Sequence, residues 1–82
     1  MYTRISFETK KDLNPMQQQA LLRFRGTLIQ NGYTDIIHLS DKEPDTHLHF
    51  FDLPKDNAAS VTAFIHAYLS EHHLDWCMFR DS

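Results

Sequence analysis

The segment from Asn14 to Gly32, NPMQQQALLRFRGTLIQNG, constrains the chain more than any other. It reads as one amphipathic helix marked at both ends. Asn14 is placed to cap the first orphan N–H groups, Pro15 suits the first helical position, and Gln17 completes a capping box. Gly32 supplies the left-handed residue that closes the helix. Stepping about 100° per residue from Phe24 puts Leu13, Gln17, Ala20, Leu21 and Leu28 on one stripe. That stripe has to be buried, so the rest of the chain must supply a surface for it. Leu22 and Ile29 fall on the far side. Single exposed apolar residues are ordinary, but this pair also suits an oligomer or partner contact. Arg23 and Arg25 flank the stripe on opposite sides.

The surface that receives the stripe is a sheet. Residues 2–9 alternate, with Thr3, Ile5, Phe7 and Thr9 on one side and Tyr2, Arg4, Ser6 and Glu8 on the other. Residues 33–40, YTDIIHLS, read as a second strand with Ile37 and Leu39 opposite Ile36 and His38. Residues 41–45, DKEPD, read as a hairpin loop. Residues 46–53, THLHFFDL, form a third strand, with Leu48 and Phe50 on one face and His47, His49 and Phe51 on the other. A second helix over 58–72, capped by Asp56 or Asn57, buries Ala58, Val61, Ile65, Tyr68, Leu69 and His72, with Phe64 at the border. WCMFR is the last strand, with Cys77 and Phe79 inward. The order is βαββαβ. Right-handed crossovers put both helices on one face of the sheet. The expected fold is one ferredoxin-like α+β domain across residues 1–82, with a four-stranded antiparallel sheet of order 4-1-3-2 and one face open.

Eighty-two residues give a small core, which a homodimer would help to stabilise. A lone cysteine, Cys77, excludes an internal disulfide and favours a reducing compartment. The opening MYTRISFE carries no apolar signal run, and no stretch reaches membrane-spanning length. A cytoplasmic protein with no membrane partner is expected. The net charge of −3 counts against a general nucleic-acid coat protein but leaves room for a local basic strip. No G-x-S-x-G, Gly-rich phosphate loop or C-x-x-C is present, and no cofactor is expected.

The open face is where function enters. The alternation assigns it Tyr2, Arg4, Ser6 and Glu8, with His47, His49 and Phe51 from strand 3 and Ile36 and His38 from strand 2. A solvated antiparallel face is normally Thr, Lys, Glu and Ser; this one is aromatic and histidine-rich. Three readings compete. Two such faces can stack as a dimer. Aromatics and Arg can contact RNA bases and phosphates. His47 and His49, with His38 on the neighbouring strand, can offer three imidazoles to a metal. Spacing fixes no cysteine or carboxylate beside them, so no metal is assigned. Glu8 stands apart: a carboxylate where strand 1 meets helix 1 suits metal binding or general-base work on a ribose hydroxyl.

ISFE on the first strand, followed by LLRFRGTLIQNGYTDII, resembles the GhoS family, small RNA-cleaving antitoxins of type V toxin–antitoxin systems. The likeness covers about Tyr2 to Ile37. It rests on the aromatic–acid end of strand 1, the R-x-R step in helix 1, and the spacing to the aromatic before strand 2. The strand 1 to helix 1 connection is longer here, and the second half matches in element order only. The resemblance implies an antitoxin that cleaves the messenger of a membrane-active toxin, with Arg25 at the family's functional arginine and Glu8 at its acidic position. Arg25 would hold the scissile phosphate while the RNA 2′-hydroxyl attacks. Arg23, Tyr2, Arg4 and the strand histidines would be RNA or partner contacts. The competing class is a non-catalytic inhibitor or immunity-type module that binds a protein through the open face or the Leu22/Ile29 side.

Overall fold

The computed structural model describes residues 1–80. Its elements are β1 (Tyr2–Lys10), α1 (Pro15–Gln30), β2 (His38–Glu43), β3 (Thr46–Pro54), a 3₁₀ turn (Lys55–Asn57), α2 (Ala58–Glu71) and β4 (Met78–Arg80). The four strands form one antiparallel sheet of order β2-β3-β1-β4. This is the ferredoxin-like arrangement, with both helices on one face. Among the described residues no helix is long and apolar enough to cross a membrane.

α1 begins and ends as its sequence dictates, whereas α2 starts from the 3₁₀ turn with no side-chain cap from Asn57, contrary to the expected Asp56 or Asn57 cap. The Gln17 amide donates to Asn14 Oδ1 at 2.8 Å, and the Asn14 amide donates to Gln17 Oε1 at 3.0 Å, so the capping box is complete. At the other end Gly32 takes φ 78°. The Tyr33 amide then reaches the Leu28 carbonyl and the Gly32 amide the Ile29 carbonyl, which satisfies two carbonyls of the last turn. α2 ends in the same pair of bonds, Leu74 to Leu69 and His73 to Ser70, but its left-handed residue is His73 at φ 57°. A histidine there carries a Cβ clash that glycine lacks.

The core lies between helices and sheet. Phe24 and Leu28 of α1, Val61 and Ile65 of α2, and Ile5, Phe7, Phe51 and Leu53 of the sheet are buried, with Ile37, Leu74 and Cys77 closing the ends. Phe24 sits at its centre, edge-on to Phe7 at 5.2 Å and tilted against Tyr68 at 5.0 Å. Leu13, Gln17, Ala20 and Leu21 of the predicted stripe are half-buried, as a helix laid on a sheet requires.

Three local expectations need correction. β2 begins at His38, and Tyr33 to Ile37 form a loop held by the Thr34 hydroxyl on the Ile36 carbonyl and by Tyr33 packed on Phe64. The hairpin is correspondingly tight: β2 runs to Glu43, and only Pro44 and Asp45 turn. β4 is shorter than expected, since Trp76 and Cys77 precede it, although Cys77 is buried and Phe79 lies opposite Phe7 on the helix side. The third correction concerns β3, whose two faces are exchanged relative to the sequence reading.

Candidate functional site

Side chains of directly paired residues share a sheet face. Arg4 pairs with Asp52, Ser6 with Phe50 and Glu8 with Leu48, while Phe50 pairs with His38 and Leu48 with Ser40. The open face therefore carries Tyr2, Arg4, Ser6, Glu8, Leu48, Phe50, Asp52, His38 and Met78. His47, His49 and Phe51, assigned to that face from sequence, project instead to the helix side. Phe51 and His49 are each 1% exposed and belong to the interior. Asp52 was the available signal. Counting the strand through to Leu53 leaves Leu48, Phe50 and Asp52 on one face and His49, Phe51 and Leu53 on the other, and a carboxylate belongs with the solvated set.

The centre of the open face is Phe50. The Arg4 guanidinium lies over its ring at 4.6 Å, and the His38 imidazole stacks on it at 5.1 Å and 22°. Arg4 also grips Asp52 through both guanidinium arms, Nε to Oδ1 at 2.9 Å and Nη2 to Oδ2 at 3.3 Å. The Arg4 hydrogen bond holds the Asp52 carboxyl below its usual range, and Asp52 in turn raises Arg4. Towards the hairpin, Lys42 Nζ donates to Glu8 Oε2 at 2.6 Å. Tyr2, 70% exposed, stands at one end of the face, and Met78 at the β4 side. A pocket of about 330 Å³ opens beside Glu8, between Trp76, Met78, Lys10 and Thr46.

Arg25 and Glu8 are not neighbours. Arg25 rides on α1, half-buried on the helix side of the sheet, and its Nη2 donates to the Ile37 carbonyl at 3.2 Å. Glu8 projects from the opposite face, so the sheet separates the two groups expected to share a phosphate. Arg23 is exposed on α1, with its carbonyl accepting from the Thr27 hydroxyl. Leu22 and Ile29 are exposed, 65% and 44%.

The histidines divide the same way. His38 lies on the open face and His47 and His49 on the other, so the three imidazoles do not converge. No group of three metal-binding side chains gathers among the described residues. His47 Nε2 sits 3.8 Å from the Asp41 carboxylate, which also takes Lys11 at 3.0 Å. His49 stacks flat on Phe7 at 4.6 Å and 3°, with Nε2 bonded to the Thr9 hydroxyl at 2.9 Å. Its Nδ1 is buried without a protein partner among the described residues. Burial, then the positive charges of Arg25 and His47, push its pKa down to about 4, so it is neutral at physiological pH. Cys77 is a core thiol, pushed up to about 12 by burial. Comparison with known protein families, curated proteins and solved structures finds no match to this chain.

Proposed function

We propose that this chain is a non-catalytic regulatory module of the cytoplasm, of inhibitor or immunity type, that binds a protein partner through its open sheet face. The observation that carries the reading is the pairing of charge on that face. Arg4 is matched by Asp52 and Lys42 by Glu8. A phosphate-binding surface holds cations in excess for its ligand. A balanced face with an aromatic centre, rimmed by ion pairs, has the make-up of a protein interface, in which Tyr, Phe, Met and Arg are enriched. The lone buried cysteine and the absence of an internal disulfide support a cytoplasmic setting.

An antitoxin endoribonuclease of the GhoS kind is the second reading. It draws on Tyr2 and on the Arg4–Phe50 stack, which occupy the two central strands where bases could stack. It requires Arg25 to meet one phosphate together with Glu8 or a histidine; the sheet stands between Arg25 and Glu8, and His49, on the side of Arg25, is buried.

The deciding experiment sets the purified protein beside Phe50→Glu and Arg25→Ala. One partner protein captured in stoichiometric amount by wild type and by Arg25→Ala, and lost with Phe50→Glu, is the expected result. Site-specific cleavage of a mixed single-stranded RNA that disappears in Arg25→Ala would overturn it in favour of the nuclease.

A further inference from the structure

Among the described residues, two buried side-chain polar atoms have no protein partner, Arg25 Nε and His49 Nδ1. Buried donors and acceptors are almost always satisfied, so each of these calls for a ligand. The fold brings both to one place. Phe24 packs edge-on to Phe7, and Phe7 stacks on the His49 ring, its partner in the β1–β3 ladder. Arg25 follows Phe24, and its far end reaches the Ile37 carbonyl, next to His38 at the start of β2. β3 lies between β1 and β2. The Arg25 side chain therefore crosses β3 near His49, and its positive charge adds to burial in disfavouring protonation of that ring. The two nitrogens of an imidazole point away from each other. Nε2 faces Thr9 on β1, which turns Nδ1 towards β2 and the path of Arg25.

Counting protons gives what the site needs. Thr9 is 2% exposed, and its hydroxyl is bonded to His49 Nε2. If Nε2 carried the ring proton, the hydroxyl proton and a bare Nδ1 would both be left unmatched. With the hydroxyl donating to Nε2, the ring proton sits on Nδ1, and that N–H alone is left over. The Arg25 Nε–H is the second leftover donor. Two donors, one of them on a cation, select an acceptor oxygen. Both atoms are closed to solvent, so the oxygen is that of an internal water. Domains hold about one such water for every 27 residues, most with about three hydrogen bonds. The Ile37 carbonyl has two lone pairs and holds Arg25 Nη2 at 3.2 Å, so it can take one of the water's own protons.

We propose that His49 is the Nδ1–H tautomer and that one internal water accepts from His49 Nδ1 and Arg25 Nε, tying α1 to the β2–β3 half of the sheet. A single enclosed molecule leaves the ring cut off from bulk solvent. The site engages the Arg25 guanidinium inside the fold, so it stands whatever the open face binds.

Imidazole nitrogen NMR on the wild-type protein at pH 7 reads the tautomer, and water-selective cross-relaxation reads the ligand. His49 shows a protonated Nδ1 and a bare Nε2, with the Nδ1–H in contact with a long-lived water. Arg25→Met keeps the apolar stem and removes the second donor. The Nδ1–H proton then exchanges with solvent about tenfold faster, the size of one hydrogen bond. Arg23→Met, at an exposed position of the same helix, leaves that rate unchanged. A protonated Nε2 in wild type overturns the proposal. So does an Nδ1–H without a water contact, or an exchange rate untouched by Arg25→Met. The first two are read on wild type and do not depend on a variant that folds.

Discussion

Acidification strips this domain of a stability contribution that resides in His49. The imidazole is 1% exposed, lies flat on Phe7, and uses Nε2 on the Thr9 hydroxyl. Unfolded, it takes a proton at its ordinary value of 6.5; folded, only at about 4. Between those values the unfolded chain holds more protons, so lowering the pH draws the chain towards it. The contribution is complete above about pH 6.5, falls as the pH drops towards 4, and changes no further below. Its size is about 3 kcal/mol, taking ~1.4 kcal/mol for each pH unit of the interval. That is a large share of the 5–15 kcal/mol that holds a typical domain together. The assay is urea unfolding followed by circular dichroism and Trp76 fluorescence at a series of pH values. The informative quantity is the difference from a variant, in which everything but His49 cancels. Thr9→Val/His49→Phe keeps the ring stacked on Phe7 and removes both partners of the buried hydrogen bond, a nearly neutral exchange at pH 7. Relative to wild type, the double variant gains about 3 kcal/mol as the pH falls from 7 to 4. A difference that stays flat across that range would show that His49 is charged or hydrated in the fold, and would refute the reasoning.

Other perturbations follow from the same geometry. His73→Gly relieves the left-handed histidine that ends α2 and stabilises the fold by about 0.5–1 kcal/mol in chemical denaturation. Asn14→Ala removes half of the capping box and costs about 1 kcal/mol, read as a lowered urea midpoint at unchanged slope. Phe24→Ala empties the centre of the core and costs about 3–5 kcal/mol, enough to leave much of the population unfolded at 37 °C. Cys77, buried and with its thiol held up to about 12, resists a thiol reagent at pH 8 until urea opens the chain; rapid labelling of the native protein would contradict its place in the core.

Much of the architecture was legible in the sequence because local signals agreed with one another. Asn14, Gln17 and Gly32 mark both ends of α1, and the Phe24/Leu28 stripe has the period of a helix that lies on a sheet. The right-handed crossover rule then turns βαββαβ into the observed strand order without reference to distant contacts. The inner face of β1 was equally plain, since Ile5 and Phe7 alternate with Arg4, Ser6 and Glu8.

What the sequence could not decide was set by partners remote along the chain. In β3 both faces carry aromatic residues, so apolar alternation does not rank His49 and Phe51 against Leu48 and Phe50, and Asp52 is the one local residue that tips the balance. Pairing with β1 decides it, because Phe51 lies opposite Ile5 and Phe50 opposite Ser6. The same flip buried His49, brought Phe50 beneath Arg4 and His38, and dispersed the histidine trio. Arg25 and Glu8 lie on opposite sides of the sheet for a reason independent of β3: Glu8 shares the open face of β1 with Arg4 and Ser6, and Arg25 rides on a helix of the other face. Helix ends and the inner face of β1 are thus written in neighbouring residues, whereas the candidate site is a product of register, which only the folded sheet supplies.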